Sequence, residues 1–306
     1  MKILNYFPNG DEEKELIKFL AKYQCMSVND EKYFFNTKKY YKARVSNLIS
    51  KQYLRKSKLI IALDTVGIEY AKMCNYEYNR LNKNCKYKER LLRLSSIGAF
   101  YHNCDNVVFT PSFSLKDRDI FRTTGRRYIG IFDIDGIKYL TYQISREHDN
   151  KYIKSIIYDI QKEIQYRNII ILVKDYSLID TSEFAFGLNQ VLIIQDTDEN
   201  REKLKYINRI NWYNIIQKYY RNKVFLSEYN FCEYTDLKNT YITTFYFYDT
   251  EKVNRIKYFL RENKDKKADI ICNSEIAERL KMDIPSAKFY ITDIEKYIDK
   301  EKNVYG

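Results

Sequence analysis

One stretch of thirty-five residues, 37–71, constrains this chain more tightly than any other. Tyr41, Val45, Leu48 and Ile49 recur at helical spacing, so a helix here carries one apolar face. The other face carries Lys38, Lys39, Lys42, Arg44, Asn47 and Lys51. A short strand follows at Tyr53–Arg55, then a basic turn at Lys56-Ser57-Lys58 and a second strand at Leu59–Leu63. Asp64-Thr65 can cap a further helix from Val66 to Met73. Helix, two-stranded wing and helix make the second half of a winged helix-turn-helix.

The residues before it supply a first half. Asn9-Gly10 is a turn signal, and Asp11, Glu12 and Glu13 suit the positive end of a helix dipole. Leu16, Ile17, Phe19, Leu20 and Tyr23 predict a core-facing stripe on a helix over 12–23. Ser27–Phe35 reads as a short second helix capped at Ser27 or Asn29, with Tyr33, Phe34 and Phe35 turned inward. The third helix is then the most basic, which is the helix-turn-helix layout.

Charge singles out the same region. Of 306 residues, 53 are Lys or Arg and 41 are Asp or Glu, a formal net charge of +12. Residues 1–100 hold a net of +10 and the remainder only +2. From Lys32 through Leu63 there are nine Lys or Arg and no carboxylate. A polyanion such as duplex DNA is therefore expected on the first third of the chain. A coding bias toward lysine would explain the abundance of lysine but not the loss of acids over this stretch.

The six cysteines have no paired spacing, and with two histidines they do not predict a zinc site. No apolar run is long enough for a membrane span or a signal peptide. A cytoplasmic protein with reduced thiols, no cofactor and no membrane partner is expected.

After residue 106 strands and helices alternate. Strands are predicted at 107–113, 127–133, 138–144, 168–174, 190–195, 240–248, 268–272 and 288–291, and helices at 151–166, 182–186, 252–260 and 274–280. Ile134-Asp135-Gly136-Ile137 joins two of the strands as a tight hairpin. The expected fold class is mixed α/β: a winged helix-turn-helix domain at 1–80, a connecting helix at 81–105, and an α/β domain with a mixed sheet at 106–306. Lys86, Lys88, Arg90 and Arg93 on the connecting helix either touch phosphate or form a solvated face.

Enzymatic motifs are wanting. The eight glycines form neither a Walker loop nor a dinucleotide fingerprint. Thr123-Thr124-Gly125-Arg126-Arg127 is basic but leads into a strand, not a helix N-terminus. His102 and His148 lie 46 residues apart, so they do not build the His-x-His site of a relaxase. A metal-dependent nuclease needs an Asp on one hairpin strand and a carboxylate with a lysine on the next. Asp133 and Asp135 fit the first place, but Gln143 and Ser145 stand in the second. Among the 31 tyrosines, Tyr40 is the best candidate for a DNA contact, because Tyr41 belongs to the apolar stripe.

Arg44-Val45-x-x-Leu48-Ile49-x-x-x-Tyr53-Leu54 resembles the recognition helix and first wing strand of replication-relaxation proteins from Gram-positive plasmids and conjugative elements. Ala62 through Tyr70 is similar to that family's entry into the post-wing helix, and Arg127-x-x-Gly130-Ile131 with Tyr142 resembles the start of its second domain. Gln52 departs from the pattern, since such helices usually end in glycine. The resemblance implies a non-enzymatic, DNA-binding protein of a mobile element, acting in replication, transfer or their control. Lys38, Lys39, Arg44 and Asn47 would then sit near base edges or adjacent phosphates, with Lys42, Lys51 and Tyr40 on the same face. Arg55, Lys56 and Lys58 would clamp flanking phosphate. The α/β domain would serve assembly with a second copy or with a replication or transfer protein. Two alternatives remain: a transcriptional regulator with a ligand- or partner-sensing α/β domain, and a metal-dependent nuclease.

Overall fold

Three acids at the start of the first helix and an apolar stripe along it settle where that helix begins and which side it buries. In the computed structural model it runs Asp11–Tyr23 (α1), with Leu16, Ile17 and Leu20 fully buried. Each such side chain contributes about 1.5–3 kcal/mol when removed from water. The structure describes residues 8, 10–36, 39–79, 85–115, 127–144, 150–162, 165–221 and 223–299. Lys38, Gly125, Ser145 and His148 lie outside them. The chain is mixed α/β and divides into two units, Met1–Pro111 and Ser112–Gly306.

In the first unit, α1 leads to a two-residue strand, Met26–Ser27 (β1), and a 3-10 helix, Val28–Phe34. Ser27, one of the two caps the sequence offers, caps that helix by accepting the Asn29 N–H at 3.2 Å. Next come Tyr41–Ser50 (α2), the hairpin strands Leu54–Ser57 (β2) and Ile60–Leu63 (β3), and Thr65–Met73 (α3). The sheet order is β1-β3-β2, antiparallel throughout. The hairpin turns on Lys58-Leu59, so its first strand reaches two residues further than the sequence suggests, its second begins one residue later, and Lys56 lies within β2.

Helix α2 ends without glycine. Gln52 takes the left-handed backbone itself, at φ 61°. The Gln52 N–H then donates to the Ile49 carbonyl at 3.0 Å and the Tyr53 N–H to the Leu48 carbonyl at 2.9 Å. These are the two bonds of a Schellman cap, formed here at the steric cost a glycine avoids. Gly67 is needed for a different reason. A Cβ there would overlap the Tyr53 carbonyl oxygen, so glycine lets α3 lie directly against the start of the hairpin.

The helix Cys85–Phe100 (α4) is part of this unit rather than a connector. Leu91, Leu94, Ile97 and Ala99 are buried, and Gly98 leaves room for the Tyr23 ring of α1. The unit ends with strand Val107–Pro111 (β4), so it runs past the stretch 81–105 that the sequence suggests as a connector.

The second unit holds two sheets over one continuous apolar core. Strands Gly130–Ile134 (β5) and Ile137–Ile144 (β6) form the expected hairpin. Asp135 and Gly136 supply its two positive φ angles, 50° and 81°. Helix Asn150–Lys162 (α5) crosses to Asn168–Val173 (β7), and Gln190–Gln195 (β8) lies parallel beyond it. Residues 196–226 carry elements the sequence did not declare: helices Asp198–Leu204 (α6) and Trp212–Tyr220 (α7), and strand Val224–Leu226 (β9).

The second sheet adds Tyr234–Asp236 (β10) and Thr240–Phe245 (β11) to β9. The run expected as one strand at 240–248 is broken, because Tyr248–Asp249 (β12) leaves to pair with β8 of the first sheet. Helix Thr250–Glu262 (α8), strand Lys267–Cys272 (β13), helix Ser274–Asp283 (α9) and strand Lys288–Ile291 (β14) complete it with parallel crossovers.

Candidate nucleic-acid interface

Burial of Val45 and Leu48 fixes how α2 rolls in the first unit. That rotation exposes Lys42, Ala43, Ser46 and Ser50, with Asn47 half-buried beside them. Lys39 and Tyr40 are exposed just before the helix, and Tyr40 keeps 61% of its surface. The Lys39 ammonium lies 5.9 Å from the Tyr40 ring centroid. Tyr41 turns inward and stacks on Phe35 at 6.2 Å. Lysines, a small methyl, hydroxyls and an amide on one exposed helix face are the groups that meet phosphates and base edges in a major groove. Ala43, Ser46 and Ser50 belong to this face but carry no charge, so the charge pattern did not reveal them.

Arg44 goes elsewhere. Its guanidinium pairs with Glu12 and, at 3.1 Å, with Glu13. It also lies 4.9 Å from the centroid of the Phe35 ring. Glu12 accepts the Asn36 N–H at 2.7 Å, and this bond, with the Arg44 charge, holds its carboxyl below the usual range. Arg44 therefore ties α2 to the start of α1 and to the turn before α2. Where the sequence suggests a base edge for Arg44, the structure sets its charge against two acids of α1, Glu12 and Glu13. Lys51 at the end of α2 is half-buried.

The hairpin divides its cations between two faces. Leu54, Lys56, Ile61 and Leu63 share one face by register, and Arg55, Ser57, Ile60 and Ala62 share the other. Lys56 lies near enough to Glu31 that this carboxyl feels both Lys56 and Lys42. Burial is the stronger influence and pushes the Glu31 carboxyl up to about 7 against those two lysines. Lys58 stands exposed at the turn with φ 55°, next to Leu59, which keeps 68% of its surface. Arg55 sits on the opposite face and does not join this cluster. Lys39, Lys42, Lys56 and Lys58 are thus each exposed, and two of them, Lys42 and Lys56, act on the same buried Glu31.

In the second unit the hairpin β5–β6 separates the two places a nuclease would need. Asp133 pairs with Lys138 near the turn, and Gln143 lies five residues further along β6. Five residues of strand span about 17 Å, whereas two carboxylates on one Mg2+ must come within about 4 Å. Asp135 is occupied by Arg209 at 2.7 Å, and the Gln143 side chain donates to Asp196 at 2.8 Å. Among the described residues no group of three or more His, Cys, Asp and Glu is arranged to hold a metal ion. His102 packs against Phe34 at 4.4 Å, and burial lowers its basicity.

Among the described residues no helix is long and apolar enough to cross a membrane. Comparison with known protein families, curated proteins and solved structures gives no match to the chain.

Proposed function

We propose that the chain is a double-stranded DNA-binding protein and that its first unit is a winged helix. The observation that carries this reading is the element order α1, β1, 3-10 helix, α2, β2, β3 closed by the sheet order β1-β3-β2. In that arrangement the second and third helices form the helix-turn-helix, and the β2–β3 turn is the wing. The exposed residues of α2 and the lysines of the hairpin then meet the same duplex.

Helix α2 enters the major groove, where Lys39, Lys42, Ser46 and Asn47 meet base edges and nearby phosphates. Lys56 and Lys58 grip phosphate beside it. The resemblance of residues 44–54 and 62–70 to replication-relaxation proteins extends the proposal to a setting: replication, transfer or their control on a plasmid or other mobile element. The second unit serves assembly, with a second copy or with a replication or transfer protein.

The test is a duplex titration with the full chain. Lys58→Ala should weaken every duplex by a similar factor, because wing contacts go to phosphate. Lys42→Ala should weaken a selected site more than random sequence, by about 1–3 kcal/mol if it reads a base. Wild-type affinity for all duplexes in both variants would overturn the reading.

A further inference from the structure

The face of the β2–β3 hairpin turned away from the core is not bare surface. Arg55, Ser57, Ile60 and Ala62 form one wall of a groove of about 600 Å³. Asp64, Thr65 and Ile68 at the start of α3 also line it, together with Tyr78 and Lys88. The volume is in the range of sites that hold small organic molecules, about 300–1,000 Å³.

Its lining has two characters. Cys25, Ile60, Ala62, Leu63, Ile68 and the Tyr78 ring are apolar. Burial pushes the Cys25 thiol up to about 11, so it stays uncharged at neutral pH and behaves as part of that apolar floor. The charged side chains on the rim are Arg55, Lys56, Lys88 and Asp64. Register directs Lys56 to the other face of the hairpin, and the Asp64 carboxylate already accepts the Thr65 N–H at 2.8 Å as the cap of α3. Arg55 and Lys88 are the cations left on a largely apolar lining, and Asp64, engaged at the start of α3, is the one acid among the described lining residues.

We infer that this groove is a binding site for a small amphipathic anion, with the apolar body against Ala62, Ile68 and Tyr78 and the anionic head between Arg55 and Lys88. The site stands on its own geometry and does not depend on the DNA-binding reading, which uses the other face of the hairpin.

The experiment titrates the full chain with 1-anilinonaphthalene-8-sulfonate, an aromatic anion whose fluorescence rises on apolar surfaces. One saturable site is expected, displaced by decanoate and not by decanol at equal concentration. Lys88→Glu should weaken it about tenfold, the size of one lost charge-assisted contact. Ala62→Phe should abolish it by filling the floor, with a thermal melt confirming the fold. Lys88→Glu stands on a partly exposed helix position and keeps the test decisive if Ala62→Phe unfolds. Absence of a saturable site in the wild type, wild-type affinity in Lys88→Glu, or equal displacement by decanol would each overturn the inference.

Discussion

Arg44→Ala separates two accounts of the same residue. In the structure its guanidinium is shared by Glu12 and Glu13 and lies over Phe35, with side-chain exposures of 28%, 24% and 5% for Arg44, Glu12 and Glu13. An exposed ion pair contributes about 0–1 kcal/mol, and breaking a buried one costs about 3–5 kcal/mol. This network lies between those limits, so losing its charge should cost about 2 kcal/mol. The cation–π contact adds about 0.5–1 kcal/mol. A loss of about 2–3 kcal/mol is expected in urea unfolding, with an unchanged m value because the unfolded surface is the same. Arg44→Lys keeps the charge but not the fork and should lose about half as much. Duplex affinity, measured where the variant is folded, should stay within about twofold of wild type. Stability within about 0.5 kcal/mol of wild type together with a tenfold loss of duplex affinity would refute the scaffold role and return Arg44 to the groove.

Gln52→Gly should stabilise the first unit by about 0.5–1 kcal/mol, since Gln52 holds a left-handed φ of 61° that glycine adopts without steric cost; denaturant midpoints decide it, and a loss would contradict the cap geometry. Glu31 is an acid whose carboxyl is raised by burial from 4.5 to about 7, so the folded state binds its proton more tightly than the unfolded one. Its contribution to stability is therefore present below the unfolded value and is lost as pH rises toward and through 7. Glu31→Gln should stabilise the protein at pH 8 by about 1–3 kcal/mol and much less at pH 4, checked by urea unfolding at both; an equal effect at the two pH values would show that Glu31 does not titrate as described.

Much of the first unit was legible because its signals are local. Ser27 and Asp64 are caps whose function needs only their immediate neighbours, and both act as caps in the structure. The Asp135-Gly136 turn is legible for the same reason. What escaped depends on partners distant in sequence. Strand β1 is two residues long and exists only because Ile61 and Ile60 lie beside Met26 and Ser27. Helix α4 reads as an amphipathic connector until Leu91, Leu94 and Ile97 are seen buried in the first unit.

The candidate site followed the same division. The basic stretch was plain, but charge alone could not show that Arg44 is neutralised by acids more than thirty residues earlier. Nor could it show that Arg55 and Lys56 leave opposite faces of one strand.

The central claim, that α2 and the hairpin form a DNA face, is tested most directly by the salt dependence of duplex binding. Lys39, Lys42, Lys56 and Lys58, on or beside these elements, are each exposed. If each displaces a counterion, log K against log salt should fall with a slope of about −4, at roughly 0.9 per phosphate contact. Replacing the four by glutamine should bring the slope toward zero. A wild-type slope near zero, or a steep slope that survives those four substitutions, would contradict the account.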